Sequence, residues 1–124
     1  AGYYMNLPDL DFIPGAAVMT RVISHPAKGV FTTDLGYKAI ASDPAGQRGY
    51  IVGLEDAVPI IHSEEHWAFR LEDESRIPAI GSCLYVIPTH ICPTTALYPE
   101  ILVAKEGQVA DRWQVTARNR RITY

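Results

Sequence analysis

Hydrophobic positions in this chain form short runs separated by turn residues, with no long stripe of helical period. The 9 prolines and 9 glycines are spread along the whole sequence and interrupt any extended helix. Short apolar or alternating segments between such turns are typical of strands. Eight of them are evident, at residues 17–24, 29–34, 50–54, 58–61, 66–71, 84–90, 101–104 and 109–117. The pattern predicts a mainly β chain that folds as a single antiparallel β-barrel or sandwich-like domain.

Three of the predicted strands carry further information. Residues 84–90 are almost continuously apolar, which favours a strand that is buried on both faces. Residues 109–117 alternate between apolar and polar positions, and the glycine-containing residues 105–108 predict a hairpin turn that joins them to the preceding strand. The first strand is expected to end at a turn formed by His25 and Pro26.

The composition is that of a folded, soluble domain. Of the 124 residues, 48% are hydrophobic and 20% are charged, and this length fits one domain. The net charge of −3 argues against nucleic acid as a partner, because phosphate binding usually needs a basic excess. No apolar run is long enough to predict a membrane span. Two cysteines are too few for a disulfide framework, so we expect a cytoplasmic location.

The segment THICPTT, residues 89–95, places His90 and Cys92 two positions apart directly after an apolar run. In an extended backbone both side chains point to the same face, with their Cα atoms about 6.6 Å apart. One zinc ion fits between an imidazole nitrogen and a thiolate at this spacing, and Pro93 would end the strand just beyond. Two protein ligands would leave coordination positions open for a substrate. On spacing alone, a structural histidine and a small buried cysteine are favoured over a metal site.

Two further segments contain groups that are suited to chemistry. Residues 62–66, HSEEH, fit a zinc-protease pattern that functions only on a helix. Proline and β-branched residues nearby disfavour a helix, so we expect a turn that leads into a strand. In residues 33–39, TDLGYKA, Gly36 indicates a positive φ or a close approach of two backbones. The spacing by itself assigns no role to Asp34 or Lys38.

Six segments occur in an order that resembles one enzyme family. They are GYY, VIS, DLGYKAIASD, SEEH, IPTHICPTTAL and WQVTAR, at residues 2–4, 22–24, 34–43, 63–66, 87–97 and 113–118. In this order they resemble the C-terminal domain of the D-threonine aldolase and D-serine dehydratase family. Its members are pyridoxal phosphate enzymes of fold type III, with an architecture like that of alanine racemase. The P-x-H-x-C-P-T segment is the most specific part of the resemblance.

The resemblance implies that residues 1–124 are a C-terminal β domain that packs against an N-terminal α/β barrel outside this chain. The barrel would carry pyridoxal phosphate and the lysine that binds it. His90 and Cys92 would bind a divalent metal, usually zinc. His66 would line the active site as a catalytic candidate, or would serve only as a structural turn residue. The full-length parent is expected to be a homodimer, because related racemases build their active site from two subunits.

The substrate implied by the resemblance is a D-β-hydroxy amino acid of the D-serine or D-threonine type. The cofactor would act as an electron sink at Cα, and the metal would polarise the β-hydroxyl. Expulsion of the hydroxyl gives a 2-oxo acid and ammonia, whereas cleavage of Cα–Cβ gives glycine and an aldehyde. Cys92 favours the dehydratase branch, since the aldolase branch often has aspartate at this position. The alternative function is that of a stand-alone, non-catalytic β module that binds a partner or a metal.

Overall fold

The computed structural model of the chain describes Leu7 and residues 9–123, and these residues form a mainly β domain. A single short α-helix and two 3-10 turns, Glu74–Arg76 and Thr116–Arg118, complete the regular structure of this described part. None of its helices is long and apolar enough to cross a membrane. The elements are β1 (Val18–Ala27), β2 (Val30–Thr33), β3 (Gly49–Ile51), β4 (Val58–His62), β5 (Trp67–Arg70), β6 (Cys83–Pro88), α1 (Ile91–Ala96), β7 (Glu100–Lys105) and β8 (Gln108–Gln114).

Six strands make one curled antiparallel sheet that forms a half-barrel. Their order is β3-β6-β1-β2-β5-β4, and every neighbouring pair is antiparallel. Strands β7 and β8 form a separate two-stranded sheet. The prediction of a mainly β, antiparallel barrel or sandwich-like domain is therefore confirmed.

One face of the six-stranded sheet carries the core. Along β1 the buried residues Val18, Thr20 and Val22 alternate with exposed ones, as expected for a strand with one covered face. The aromatic centre of the core is made by Trp67, Phe31 and Phe69. The ring of Phe69 lies 4.6 Å from that of Trp67 and 5.5 Å from that of Phe31. These three buried rings come from the neighbouring strands β2 and β5.

The prediction that residues 84–90 are buried on both faces is wrong. Strand β6 buries Val86 and Pro88, but Tyr85 keeps 55% of its surface exposed. The physical reason is the antiparallel sheet itself, which needs cover on one side only. In the described part of the chain no layer of helices lies on the outer face, so the apolar run is exposed at alternate positions.

Two predicted turns had different outcomes. The turn expected at His25 and Pro26 lies further along, at Lys28 and Gly29, where Gly29 has a φ of 71°. Strand β1 continues through Pro26 because the pairing with β2 is irregular between Ser24 and Ala27, where a missing N–H is tolerated. The hairpin predicted at residues 105–108 is confirmed: Glu106 and Gly107 have φ values of 51° and 75°, which fit a two-residue turn.

Candidate functional site

The segment after β6 changes from strand to helix earlier than the sequence predicts. Thr89 is buried, its N–H donates to the carbonyl of Arg48 at 2.9 Å, and its hydroxyl donates to the carbonyl of Gln47 at 2.8 Å. His90 is the residue that precedes α1, with φ −118° and ψ 102°, and Cys92 lies in the first turn of the helix. The two side chains therefore do not share one face of an extended strand, and that part of the prediction is wrong.

The early helix has a local cause. Pro93 lies inside α1, near its start, where a residue without an N–H group breaks no helical hydrogen bond. The hydroxyl of Thr94 donates to the carbonyl of His90 at 2.7 Å and stabilises the same turn. Pro93 thus belongs to the helix, and the strand ends at Pro88 rather than beyond Cys92.

His90 is oriented by a carboxylate that is distant in sequence. Its Nδ1 lies 2.5 Å from Oδ2 of Asp43, and both side chains are about half exposed. This contact leaves Nε2 as the nitrogen that faces away from the carboxylate. Metal-binding histidines commonly use the same arrangement, in which one ring nitrogen contacts a carboxylate and the other binds the metal. Sequence reasoning missed Asp43, which stands 47 positions before His90 and shares no motif with it.

Cys92 supplies the second predicted donor. Its thiol is free and its side chain is exposed, as is that of Cys83 on β6. An imidazole and a thiolate are donors that zinc accepts, so the types of residue at this point fit a metal with open positions. Within the described residues, no group of three or more His, Cys, Asp or Glu side chains is arranged to hold a metal. The assignment of His90 and Cys92 as ligands stays a prediction.

The HSEEH segment forms the turn that its flanking residues predict. Strand β4 ends at His62, the Ser63 N–H donates to the carbonyl of His66 at 2.9 Å, and β5 begins at Trp67. Because this segment contains no helix, the zinc-protease interpretation is excluded. His66 is exposed, and in the described part of the chain no hydrogen bond or ion pair joins it to His90. A catalytic role for His66 stays a prediction.

Gly36 allows a close approach between two loops, as the sequence indicates. A Cβ at this position would lie 2.0 Å from the carbonyl oxygen of Glu64, so any side chain would force the loops apart. The approach allows the Lys38 N–H to donate to the same carbonyl at 3.1 Å. The Lys38 ammonium also pairs with the carboxylates of Glu65 at 2.8 Å and Glu64 at 2.9 Å, and these contacts raise the pKa of Lys38.

Asp34 anchors the start of the same loop to β1. Its Oδ1 accepts from the Thr20 hydroxyl and from the Arg21 N–H, each at 2.7 Å. Burial by itself raises the pKa of Asp34, but these two hydrogen bonds outweigh it, so the pKa of Asp34 is lowered overall. Asp34 thus has a structural role, which the spacing of the sequence motif did not reveal.

His62 has surroundings that differ from those of His90. It is half buried, its ring lies 4.5 Å from that of Trp67, and its Nε2 donates to the carbonyl of Leu35 at 3.1 Å. Its Nδ1 accepts from the Arg48 guanidinium at 2.5 Å. Burial, followed by the charge of Arg48, lowers the pKa of His62. His62 is therefore held neutral at pH 7, a role that its place in the HSEEH motif did not predict.

Comparison with known proteins assigns the chain to a family. Residues 15–104 match the family described as "Putative serine dehydratase domain". An uncharacterized protein of Mycobacterium tuberculosis is 31% identical over 115 residues, which cover 90% of this chain and 86% of that protein. This relative is therefore close to the chain in length.

Solved structures give the same assignment through the fold. D-threonine aldolase from Filomicrobium marinum is similar with a TM-score of 0.74 and 25% identity over 82% of this chain and 28% of the enzyme. D-threo-3-hydroxyaspartate dehydratase from Delftia sp. HT23 is similar with a TM-score of 0.65 and 26% identity over 79% of this chain and 31% of the enzyme. The chain spans less than a third of either enzyme, and the matched region of the aldolase is its C-terminal β domain. The chain therefore belongs to the serine dehydratase domain family, whose fold it shares with these D-amino acid lyases.

Proposed function

We propose that the chain is the metal-binding β domain of a larger pyridoxal phosphate-dependent lyase that acts on D-β-hydroxy amino acids. The family assignment and the similarity to D-threonine aldolase and D-threo-3-hydroxyaspartate dehydratase support the lyase class. In this proposal the cofactor and its lysine belong to an N-terminal barrel, and the reaction is a dehydration or an aldol cleavage. The parent would be a cytoplasmic homodimer.

The contact between His90 and Asp43 is the observation that carries the metal assignment. The carboxylate contacts Nδ1, which leaves Nε2 as the nitrogen for a metal, and the free thiol of Cys92 follows two positions later. Additional support comes from D-threo-3-hydroxyaspartate dehydratase itself. That enzyme has been solved as a cysteine-to-alanine mutant in the metal-free form and as a histidine-to-alanine mutant, at positions two residues apart.

Each of these side chains has a distinct task in the proposed site. Nε2 of His90 and the thiolate of Cys92 would hold the metal, while Asp43 would fix the tautomer and the ring orientation of His90. When bound, the metal supplies a Lewis acid for the β-hydroxyl of the substrate. Two ligands from this domain leave room for that hydroxyl and for donors from outside the described residues. Since the thiol must lose its proton to bind, metal affinity should fall as the pH is lowered.

Zinc binding to the full-length parent tests this proposal. Cys92→Ala and His90→Ala should each lower zinc content and lyase activity together, because each removes one donor of the site. Cys83→Ala is the matched control, since Cys83 is also a free, exposed thiol but lies on β6, away from α1. Zinc content would be measured by competition with a chromophoric chelator. Full zinc content and full activity in both variants would refute the assignment.

A stand-alone, non-catalytic module is the second candidate. The observation that favours it is the mycobacterial relative, of which this chain matches 86%, so that a protein of this size exists without room for a barrel. The mass of the native gene product distinguishes the two candidates. A product much heavier than 13.7 kDa supports the lyase domain, and one close to 13.7 kDa supports the module.

The activity of the isolated chain gives a separate prediction. We expect no turnover of D-serine or D-threonine when the 124 residues are assayed with pyridoxal phosphate, because the cofactor lysine would lie on the barrel. Product formation would be compared with that of the cofactor alone. Turnover above this blank would show that no barrel is needed. The proposal that the cofactor lysine lies outside this chain would then be wrong.

A further inference from the structure

One cation in the chain differs from all others in its surroundings. All 11 lysine and arginine residues lie in the described part of the structure, and 10 of them are exposed. Arg48 is the exception, because it is half buried. Among the described residues, four exposed cations pair with carboxylates, whereas no carboxylate lies within ion-pair distance of Arg48. The paired cations are Lys28, Lys38, Arg76 and Arg112.

The one side chain that contacts the Arg48 guanidinium in the described chain cannot neutralise it. That contact is Nδ1 of His62, which accepts one N–H at 2.5 Å. Since Nε2 of the same ring donates to the carbonyl of Leu35, the imidazole is neutral and contributes no negative charge. Partial removal of a charge from water is costly, and a bound anion would offset that cost. Arg48 therefore keeps a positive charge and several N–H groups for a partner from outside.

The backbone around Arg48 is also held by hydrogen bonds. The buried Thr89 donates to the carbonyls of Arg48 and Gln47, and the Gln47 side chain donates to the carbonyl of Gly49 at 2.6 Å. Trp67 packs against the ring of His62, whose Nδ1 contacts the guanidinium. Because its backbone and one guanidinium N–H are held, Arg48 loses less conformational freedom on binding a ligand than an unrestrained arginine would.

A cleft opens directly beside this guanidinium. Residues 46–48 and His62 line it together with an apolar surface made by Pro59, Ile60, Ile61 and Trp67. The cleft offers about 490 Å³, which is ample for a molecule of a few carbon atoms, and no acidic side chain lines it. An anion that enters would thus meet one cation and no opposing charge.

We propose that this cleft binds the carboxylate group of a small organic acid, with Arg48 as the anion ligand and His62 as the residue that positions it. A planar guanidinium presents two parallel N–H groups to the two oxygens of a carboxylate. The short aliphatic part of the acid lies against the apolar wall formed by Pro59 and Ile61. The site needs neither the metal nor the cofactor of the proposed lyase. An experiment that refutes carboxylate binding here would therefore leave the lyase proposal standing, and the reverse also holds.

An NMR titration of the 124-residue chain tests the site, with isobutyrate as the probe and inorganic phosphate as a second arm. It is run at low ionic strength with a chelator present. Isobutyrate should shift the Arg48 Nε–Hε and His62 ring signals to saturation. Arg48→Met should weaken binding about 10-fold or more, since a charge-assisted hydrogen bond is lost. Arg70→Met is the control, because Arg70 is exposed and pairs with no carboxylate among the described residues. It should bind isobutyrate with the affinity of the unmutated chain.

Three results would overturn the site. They are a lack of saturation by isobutyrate, saturation by phosphate only, and unchanged binding in Arg48→Met. If Arg48→Met does not fold, Arg48→Lys decides the matter, because lysine keeps the charge and loses the planar pair of donors. We expect that variant to bind about 5-fold more weakly or worse. If Arg48→Lys binds isobutyrate with the affinity of the unmutated chain, recognition by the guanidinium is refuted.

Discussion

Two histidines contact the two ends of one loop, residues 43–48, and their surroundings are opposite. His90 is about half exposed and its Nδ1 contacts the Asp43 carboxylate. His62 is packed on Trp67 and its Nδ1 contacts the Arg48 guanidinium. The same type of side chain thus meets an anion at one end of the loop and a cation at the other.

The difference shows how the partner of a ring nitrogen sets what the histidine can do. A carboxylate at Nδ1 makes the opposite nitrogen of His90 a better ligand for a cation. A guanidinium at Nδ1 keeps His62 neutral and leaves the charge of Arg48 for an anion. If both proposals hold, a single loop contributes Asp43 to a metal site at one end and Arg48 to a carboxylate site at the other.

The largest effect is expected when Trp67, which packs against His62 but not His90, is removed. Trp67→Ala should lower the free energy of unfolding by about 3–5 kcal/mol, because a fully buried ring would be lost from the core. It should also disturb the NMR signals of His62 more than those of His90. Denaturant unfolding measures the first effect and the histidine ring signals measure the second.

The hairpin supplies a matched control for that variant. Trp113 on β8 is 60% exposed, so Trp113→Ala should change the free energy of unfolding by no more than about 0.5 kcal/mol. If both tryptophan variants lost similar stability, the core would not be centred on the six-stranded sheet as described.

A smaller effect is expected from Asp43→Asn. The amide keeps the shape of the side chain but loses the charge that orients His90, and zinc affinity should fall about 10- to 100-fold. The affinity is measured by chelator competition at constant pH. Asp56→Asn is the control, because the Asp56 carboxylate pairs with Arg76 and contacts neither histidine. If Asp43→Asn and the unmutated protein bind zinc with equal affinity, the Asp43 carboxylate does not prepare His90 for a metal.

The smallest effect is a pH dependence of stability that belongs to His62. Its folded pKa is lowered from 6.5, so its contribution to stability is complete above about pH 6.5 and is lost as the pH falls through the folded pKa. Unfolding between pH 7 and pH 5 should therefore depend less on pH in His62→Gln than in the parent chain. His66→Gln is the control at an exposed histidine in the same turn. An identical pH dependence in His62→Gln and the parent chain would show that His62 is not held neutral.

The sequence predicted the elements of this fold better than their arrangement. Each of the eight predicted strands overlaps an observed strand, with ends that differ by up to three residues, and the β7–β8 turn is where its glycine indicates. The exposure of the outer face of β6 was not predictable, because an apolar run does not reveal whether a second layer covers it. The order of the six strands depends on long-range pairing, such as Val18 with Val86, which no local pattern encodes.

The candidate site shows the same limit. The motif identified His90 and Cys92 as a pair, but the helical start at Ile91 depends on hydrogen bonds that the spacing does not show. Asp43 was not predicted because it reaches its histidine over 47 positions. Arg48 was missed for a related reason, since its significance lies in half burial without a carboxylate, and neither property is visible in a sequence.

The separation of the β7–β8 hairpin from the main sheet has a consequence for the order of folding. A hairpin with a two-residue turn closes in about 1–10 μs, whereas sheets that pair distant segments form far more slowly. The hairpin is only marginally stable on its own, so it should form and unfold repeatedly before β1 pairs with β6. During synthesis β1 emerges long before its partner, while β7 and β8 emerge together. Regular structure is therefore expected in this hairpin before β1 and β6 have paired.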